Sequence, residues 1–287
     1  MQRSDFRHFD RLRVRWAEVD MQKIVFNGHY LMYFDTAVAA YWRAMALPYH
    51  ETMASLAGDL FVRKATVDYL GSARYDEVCD VGIRCQRIGT SSMLLQAALF
   101  KGDTLLVHGE LVYVFADPFT QTSKPVPADL RAVLTAYEAG EAMVDVRLGD
   151  WPTLGRQALA IRSAVFSVEQ QMPAGLDPDN DSADATAVHA IASNRLGMPL
   201  ATGRLGVHSP GVAQIGRMAV LAAVRGSGVG RAVLQALLTA AQARGDRAVR
   251  LHAQQSAVDF YRRAGFSAEG PLFQQAGIAH QAMVCLL

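Results

Sequence analysis

Apolar and polar positions alternate near the start of the chain. Leu12, Val14 and Trp16 lie between Arg11, Arg13 and Arg15, a period of two that predicts a short strand. The acidic loop Glu18-Val-Asp20 follows, and from residue 28 the spacing becomes helical. Over residues 28–47, Leu31, Phe34, Val38, Tyr41, Trp42 and Met45 share one broad face, while only Asp35 and Arg43 carry charge elsewhere. A helix apolar nearly all round predicts wrapping, most simply by a curved antiparallel sheet. Strand-like runs follow at 60–70, 78–88, 93–100 and 104–115, punctuated by Gly71-Ser-Ala-Arg-Tyr-Asp-Glu, Gly89-Thr-Ser-Ser and Lys101-Gly-Asp. They read as a meander. Beyond the proline-rich stretch 117–127, residues 128–138 set Leu130, Val133, Leu134 and Tyr137 on one side of a short helix.

A boundary near Glu141 divides the chain into 1–141 and 142–287. In the second part, the strand-like run Gln214-Ile-Gly-Arg-Met-Ala-Val220 leads through Leu221-Ala-Ala-Val into Arg225-Gly-Ser-Gly-Val-Gly230. Residues 231–244 then carry Val233, Leu234, Leu237, Leu238 and Ala241 at helical spacing. Strand, glycine turn and helix in this order aim free N–H groups at one point, which suits a pyrophosphate. The motif is neither the dinucleotide fingerprint nor a Walker loop. On spacing alone it fits a tight turn equally well.

Composition narrows the partners. The 287 residues are 51% hydrophobic, enough for two cores. Lys plus Arg number 28 against 27 Asp plus Glu, a net charge of +1 that gives no electrostatic reason to expect nucleic acid or an anionic membrane. Cys79, Cys85 and Cys285 lack metal-ligand or redox-pair spacing, and their odd number argues against a disulfide framework. No apolar run reaches the roughly 18 residues of a membrane span, and the N-terminus lacks a signal-peptide core. The expectation is a cytoplasmic protein with no metal.

Chemistry concentrates first at Asp20, in the loop feeding the long helix. A carboxylate beside free helix N–H groups is a hydrolase geometry, although a turn or capping role for Asp20 fits the same position. Glu18 is a rival acid, and Ser91 and Ser92 lie in a turn that fits a solvated role. Asp20, Ile24-Val25-Phe26 and His29-Tyr30 together resemble the signature of the hotdog-fold acyl-CoA thioesterases, in the branch of 4-hydroxybenzoyl-CoA thioesterase and the Tol-Pal-associated thioesterases. Residues 61–77 and Gly89-Thr-Ser-Ser-Met resemble the later strands and turn of that family, so the resemblance spans about residues 8–140. It implies Asp20 as nucleophile or general base, an oxyanion site at Asn27 and Gly28 with His29 on the substrate, acyl-CoA as substrate, and a homo-oligomer through this domain. Lys23 stands where glycine is usual, and Asn27 where histidine or tyrosine is usual.

In the second half, Ala219-Val220, Arg225-x-x-Gly228-x-Gly230 and Ala257-x-x-Phe260-Tyr261-x-x-x-Gly265-Phe266 resemble the GNAT acetyltransferase superfamily over about residues 145–287. The resemblance implies that Ala219 and Val220 pair with the pantetheine arm of acetyl-CoA. Arg225, Gly226, Ser227, Gly228, Val229 and Gly230 would hold its pyrophosphate, and Tyr261 would protonate the departing thiolate. Glu169 and His252 are candidates for the amine side. The acidic run 177–184 suits a solvated loop or a cationic substrate. Ala222 and Gln254 depart from the usual proline and asparagine.

The combined expectation is an α+β chain: a hotdog domain, a long helix wrapped by antiparallel sheet, followed by a GNAT α/β domain with a mixed sheet. CoA and acetyl-CoA enter as substrates, and an amine is the acceptor. Non-catalytic acyl-CoA sensing by either half, or hydratase chemistry in the first, remain alternatives.

Overall fold

The opening alternation forms strand β1 (His8–Arg13), but the strand ends there. Trp16–Glu18 make a single 3-10 turn and Trp16 is 75% exposed, which corrects the extended reading of this segment. The cause is Glu18, whose carboxylate turns inward to accept from the Arg15 N–H at 2.7 Å and the Tyr33 hydroxyl at 2.6 Å. A straight strand could not close that contact over three residues.

The computed structural model describes residues 1–171 and 184–287, which divide into two units, Met1–Met143 and Val144–Leu287. In the first, helix α1 (Asn27–Ala44) buries Tyr30, Tyr33, Phe34, Ala37, Val38, Tyr41 and Trp42 at the i, i+3, i+4 spacing of a single face. Leu31, Met32, Asp35, Thr36, Ala39 and Arg43 face outward. The helix is therefore laid against the sheet on one side, not wrapped all round. Tyrosines form much of the buried face, each with an apolar ring and a polar tip that finds a partner.

After the short helix α2 (Tyr49–Ser55) come β2 (Asp59–Tyr69), β3 (Val78–Ile88), β4 (Ser92–Lys101) and β5 (Thr104–Ala116). All pairings are antiparallel, in the order β1-β3-β4-β5-β2. Only β3 to β5 form a meander. β2 pairs with β5 at the sheet edge, and residues 70–77 carry the chain back to β3. That crossover is held by long-range bonds: Leu70 and Gly71 donate to the Leu106 carbonyl, and the Ala73 N–H donates to the Tyr30 hydroxyl at 3.0 Å. Gly109 of β5 leaves room for the helix, since a Cβ there would sit 2.9 Å from the Phe34 ring and 2.4 Å from the Thr66 carbonyl oxygen of β2. Helix α3 (Ala128–Glu138) closes the unit, its Glu138 carboxylate accepting from the Tyr41 hydroxyl and from the Cys85 N–H. A long helix on a five-stranded antiparallel sheet is the architecture the hotdog resemblance implies.

The second unit runs β6 (Val144–Gly149), α4 (Trp151–Arg162), a π-helical turn (Ser163–Glu169), β7 (Val188–Asn194), β8 (Pro199–Ser209) and β9 (Val212–Val220). Helix α5 (Val229–Arg244), β10 (Ala248–Gln254), α6 (Val258–Arg263), β11 (Ser267–Gln275) and β12 (Ile278–Leu286) complete it. The seven strands lie in the order β11-β12-β10-β9-β8-β7-β6, with β9 and β10 parallel and the other neighbours antiparallel. Asp150 caps α4 by accepting from the Thr153 N–H, and Gly245 ends α5 at φ 88°. Of the acidic run, 177–183 lies outside the described residues. Asp184 bonds Thr186 and pairs with Arg204.

Candidate active sites

Two strands that should run side by side separate in the second unit. β9 and β10 pair only at Val212–Ala248, Ala213–Val249 and Gln214–Arg250, after which no register joins them. The separation coincides with a bulge in β9: Gly216 and Ala219 face Arg204 and Thr202 across β8, and Arg217 between them adopts φ 55°. Left-handed backbone at a non-glycine residue is unfavourable, and here it bends β9 away from β10. The wedge opens onto a cavity of about 310 Å3 lined by Gln214 to Met218 on one side and by Leu251, His252 and Gln254 on the other. Tyr261, Gln275 and His280 complete its wall.

Just past the end of β9, the glycine turn leads into α5. Gly226 and Gly228 adopt φ 85° and 90°, and a Cβ at either would meet nothing within 4 Å. The glycines are thus required by backbone conformation, and the turn stands open above the helix start. Gly228 caps α5 without any side chain, leaving the N–H groups of its first turn, Val229, Gly230 and Arg231, with no acceptor inside the helix. A Cβ on Gly230 would lie 3.1 Å from Val220, so this glycine fits the helix against β9. Ala219 and Val220 pair with β8 on one edge and have no β10 partner on the other, and the Val220 carbonyl accepts from Arg225 Nε at 3.1 Å.

Tyr261 on α6 is buried among Phe260 and Phe266 and reaches the cavity wall. Burial pushes its phenol up to about 12, so it holds its proton at neutral pH and is available as an acid. His252 also lines the cavity, its Nδ1 3.3 Å from the Gln275 side-chain oxygen. Glu169 does not face this space as a free base. Its carboxylate is gripped by the Arg225 guanidinium, which holds it below the usual range against the opposing effect of burial. His280 was not evident from the sequence, because a histidine near the end of a strand carries no motif.

In the first unit Asp20 sits in a tight turn. Its Oδ1 accepts from the Gln22 N–H at 2.8 Å, its N–H donates to the Ile24 carbonyl, and its carbonyl accepts from Lys23. Lys23 adopts φ 63°, which gives the physical reason a glycine suits that position: the turn needs left-handed backbone. The Asp20 charge reaches Tyr30 in the first turns of α1, where it adds slightly to an upward shift caused chiefly by burial of the phenol. Asn27 and Gly28 occupy the first two positions of α1, so their N–H groups have no intrahelical acceptor. The Asn27 carbonyl accepts from the Tyr69 hydroxyl at 3.2 Å. Phe26 lies over this end, 3.0 Å from a Cβ on Gly28 and edge-on to the half-buried His29 ring.

Glu18, the rival acid, is engaged by its surroundings. It is 3% exposed, and although burial would raise its pKa, the Tyr33 hydroxyl and Arg15 pull it below the ordinary carboxylate range. A carboxylate saturated with donors is a poor base. Ser91 and Ser92 use their carbonyls to accept from Phe115 and Gly89, as turn residues do. No group of three or more His, Cys, Asp or Glu suited to hold a metal occurs among the described residues, and no helix among them is long and apolar enough to cross a membrane.

Comparison with known proteins matches residues 22–108 to the thioesterase superfamily and residues 168–287 to the acetyltransferase (GNAT) domain. The acyl-CoA thioester hydrolase YbgC of Escherichia coli is 25% identical over 122 residues, 42% of this chain and 90% of that protein. A candidate acetyltransferase of Bacillus subtilis, BSU40680, is 29% identical over 127 residues, 44% of this chain and 85% of that protein. Among solved structures, a candidate N-acetyltransferase from Lactobacillus plantarum is 26% identical, covers 51% of this chain and 99% of its own, and superposes with a TM-score of 0.47. The chain carries a hotdog thioesterase-superfamily domain followed by a GNAT domain.

Proposed function

We propose that this chain is a bifunctional CoA-thioester enzyme, its first half hydrolysing an acyl-CoA and its second half moving an acetyl group from acetyl-CoA to an amine. The observation that carries the reading is the wedge between β9 and β10, with open helix amides beyond its end and a protonated phenol in its wall. In this reading the pyrophosphate rests on the turn from Arg225 to Gly230, and the pantetheine arm pairs with Ala219 and Val220. The thioester then lies in the wedge, where an amine attacks its carbonyl carbon. Tyr261 donates its proton to the sulfur as the C–S bond breaks.

For the first half, the supporting geometry is a carboxylate in the loop that feeds two free helix amides. Asp20 attacks the thioester carbonyl or deprotonates a water that does so, and Asn27 and Gly28 stabilise the oxyanion. Edge strand β2 leaves Val62 and Tyr69 exposed, as does Leu70 just beyond it, which supports pairing with a second copy through this domain. The test begins with mass spectrometry of CoA species that copurify, followed by a hydrolysis panel built around them. Asp20→Asn should lower CoA release at least a hundredfold while acetyl-CoA affinity in the second half is kept. Equal hydrolysis by parent and variant would remove Asp20 from the reaction. Tight CoA binding without turnover would make the chain a sensor.

A further inference from the structure

We infer that His280 is the general base of the transfer reaction, a role that rests on the acetyltransferase reading and adds a residue to it. His280 belongs to β12, lines the cavity and is 9% exposed. Its Nδ1 lies 2.8 Å from the Ile278 carbonyl oxygen. A carbonyl only accepts, so Nδ1 must carry the proton and the lone pair of the neutral ring must lie on Nε2. Nε2 makes no hydrogen bond among the described residues, and it belongs to a side chain that lines the cavity.

The ring is also held in place. It stacks on Phe273 with centroids 6.0 Å apart and planes 29° apart. Across the ladder it faces Gln254, whose side chain donates to Gln170 at 3.0 Å. A base fixed in one tautomer and one orientation meets the geometric demand of proton transfer better than a mobile one. His252 packs edge-on to the same Phe273 ring, with centroids 4.9 Å apart, but it is exposed, and the Gln275 amide beside its Nδ1 can turn to donate or accept, so neither tautomer is imposed. The other titratable or charged groups lining the cavity among the described residues are Tyr261, His252 and Arg217.

The step balances without further reagents. The amine nitrogen bonds to the thioester carbonyl carbon, the C–S bond breaks, and the proton lost from nitrogen passes to Nε2 of His280. Tyr261 gives its proton to sulfur, releasing CoA as the thiol. The imidazolium and the phenolate then exchange one proton, directly or through water, which restores both groups.

Acetyl transfer is measured with a panel of small primary amines and lysine peptides, against pH, for the parent, His280→Gln and His252→Gln. His280→Gln should lower kcat/KM near pH 7 roughly a hundredfold or more and remove the acidic limb of the profile, with acetyl-CoA Kd and melting temperature unchanged. A His280→Gln profile that keeps the parent's rate and acidic limb, or loss of that limb in His252→Gln instead, overturns the assignment. A parent inactive on every amine would sink the acetyltransferase reading itself. The ring is judged separately by 15N NMR of the full chain, where Nε2 should be the unprotonated nitrogen and should shift on adding CoA. An unprotonated Nδ1, or an Nε2 indifferent to CoA, overturns the proposal whatever the panel gives.

Discussion

Arg225 grips Glu169 with both ends of its guanidinium, Nη1 and Nη2 donating to Oε1 and Oε2 at 2.6 Å each, while Nε donates to the Val220 carbonyl at 3.1 Å. The pair joins the π-helical turn to the glycine loop, and it leaves the loop's own cation neutralised. A phosphate arriving at the glycine loop meets the Glu169 charge on Arg225. Glu169→Gln should therefore bind CoA more tightly, by roughly threefold at low salt, since both partners are half exposed and the effect is screened. Isothermal titration across salt concentrations checks this. Unchanged affinity with a collapse of turnover would return Glu169 to the amine side.

Glu18 makes the opposite kind of prediction. Its buried carboxylate accepts from Arg15 and Tyr33, so replacing it leaves a tyrosine hydroxyl unpaired inside the first unit. Glu18→Ala should destabilise that unit by about 2 kcal/mol, seen as an earlier chemical-denaturation midpoint, with hydrolysis per folded molecule retained. Full stability with hydrolysis abolished would make Glu18, and not Asp20, the working acid.

What the sequence showed and what it hid follow from the range of each signal. The helix at 128–138 and the strand at 78–88 were legible to the residue, because alternation and turn chemistry are local. The place of β2 was not, since nothing between residues 60 and 77 says that the chain returns to the far edge; long-range bonds to Leu106 and Tyr30 decide it. On α1 the spacing placed Phe34, Val38, Tyr41, Trp42 and Met45 inside correctly, but Leu31 faces out, and Tyr30 and Tyr33 pack inward because their hydroxyls find partners. At the candidate sites, the glycines near Gly228 were readable as backbone requirements. The Arg225 to Glu169 pair and the lone pair of His280 were not, because each depends on partners distant in sequence or on a single carbonyl.

His8 makes the stability of the first unit depend on pH. It lies on β1 edge-on to Tyr41, with Nε2 buried and without a hydrogen-bond partner among the described residues. Burial first, and then the Arg43 charge, lower its pKa to about 4, while the nearby Asp10 carboxyl is raised by burial against the same arginine. In the unfolded chain the imidazole takes up a proton below its ordinary value near 6.5. Between that pH and about 4 the unfolded state thus binds more protons than the folded one, so stability falls as the solution is acidified and His8 adds nothing further below about 4. The full shift sets an upper bound of about 3 kcal/mol, and partial exposure of the ring reduces this to about 1–2 kcal/mol. His8→Leu abolishes this dependence and keeps an apolar contact with Tyr41, so urea unfolding at pH 7 and pH 4.5 should show a smaller acid loss in the variant. Parallel losses in parent and variant would mean that His8 titrates normally in the folded protein, and other groups carry the acid sensitivity of this unit.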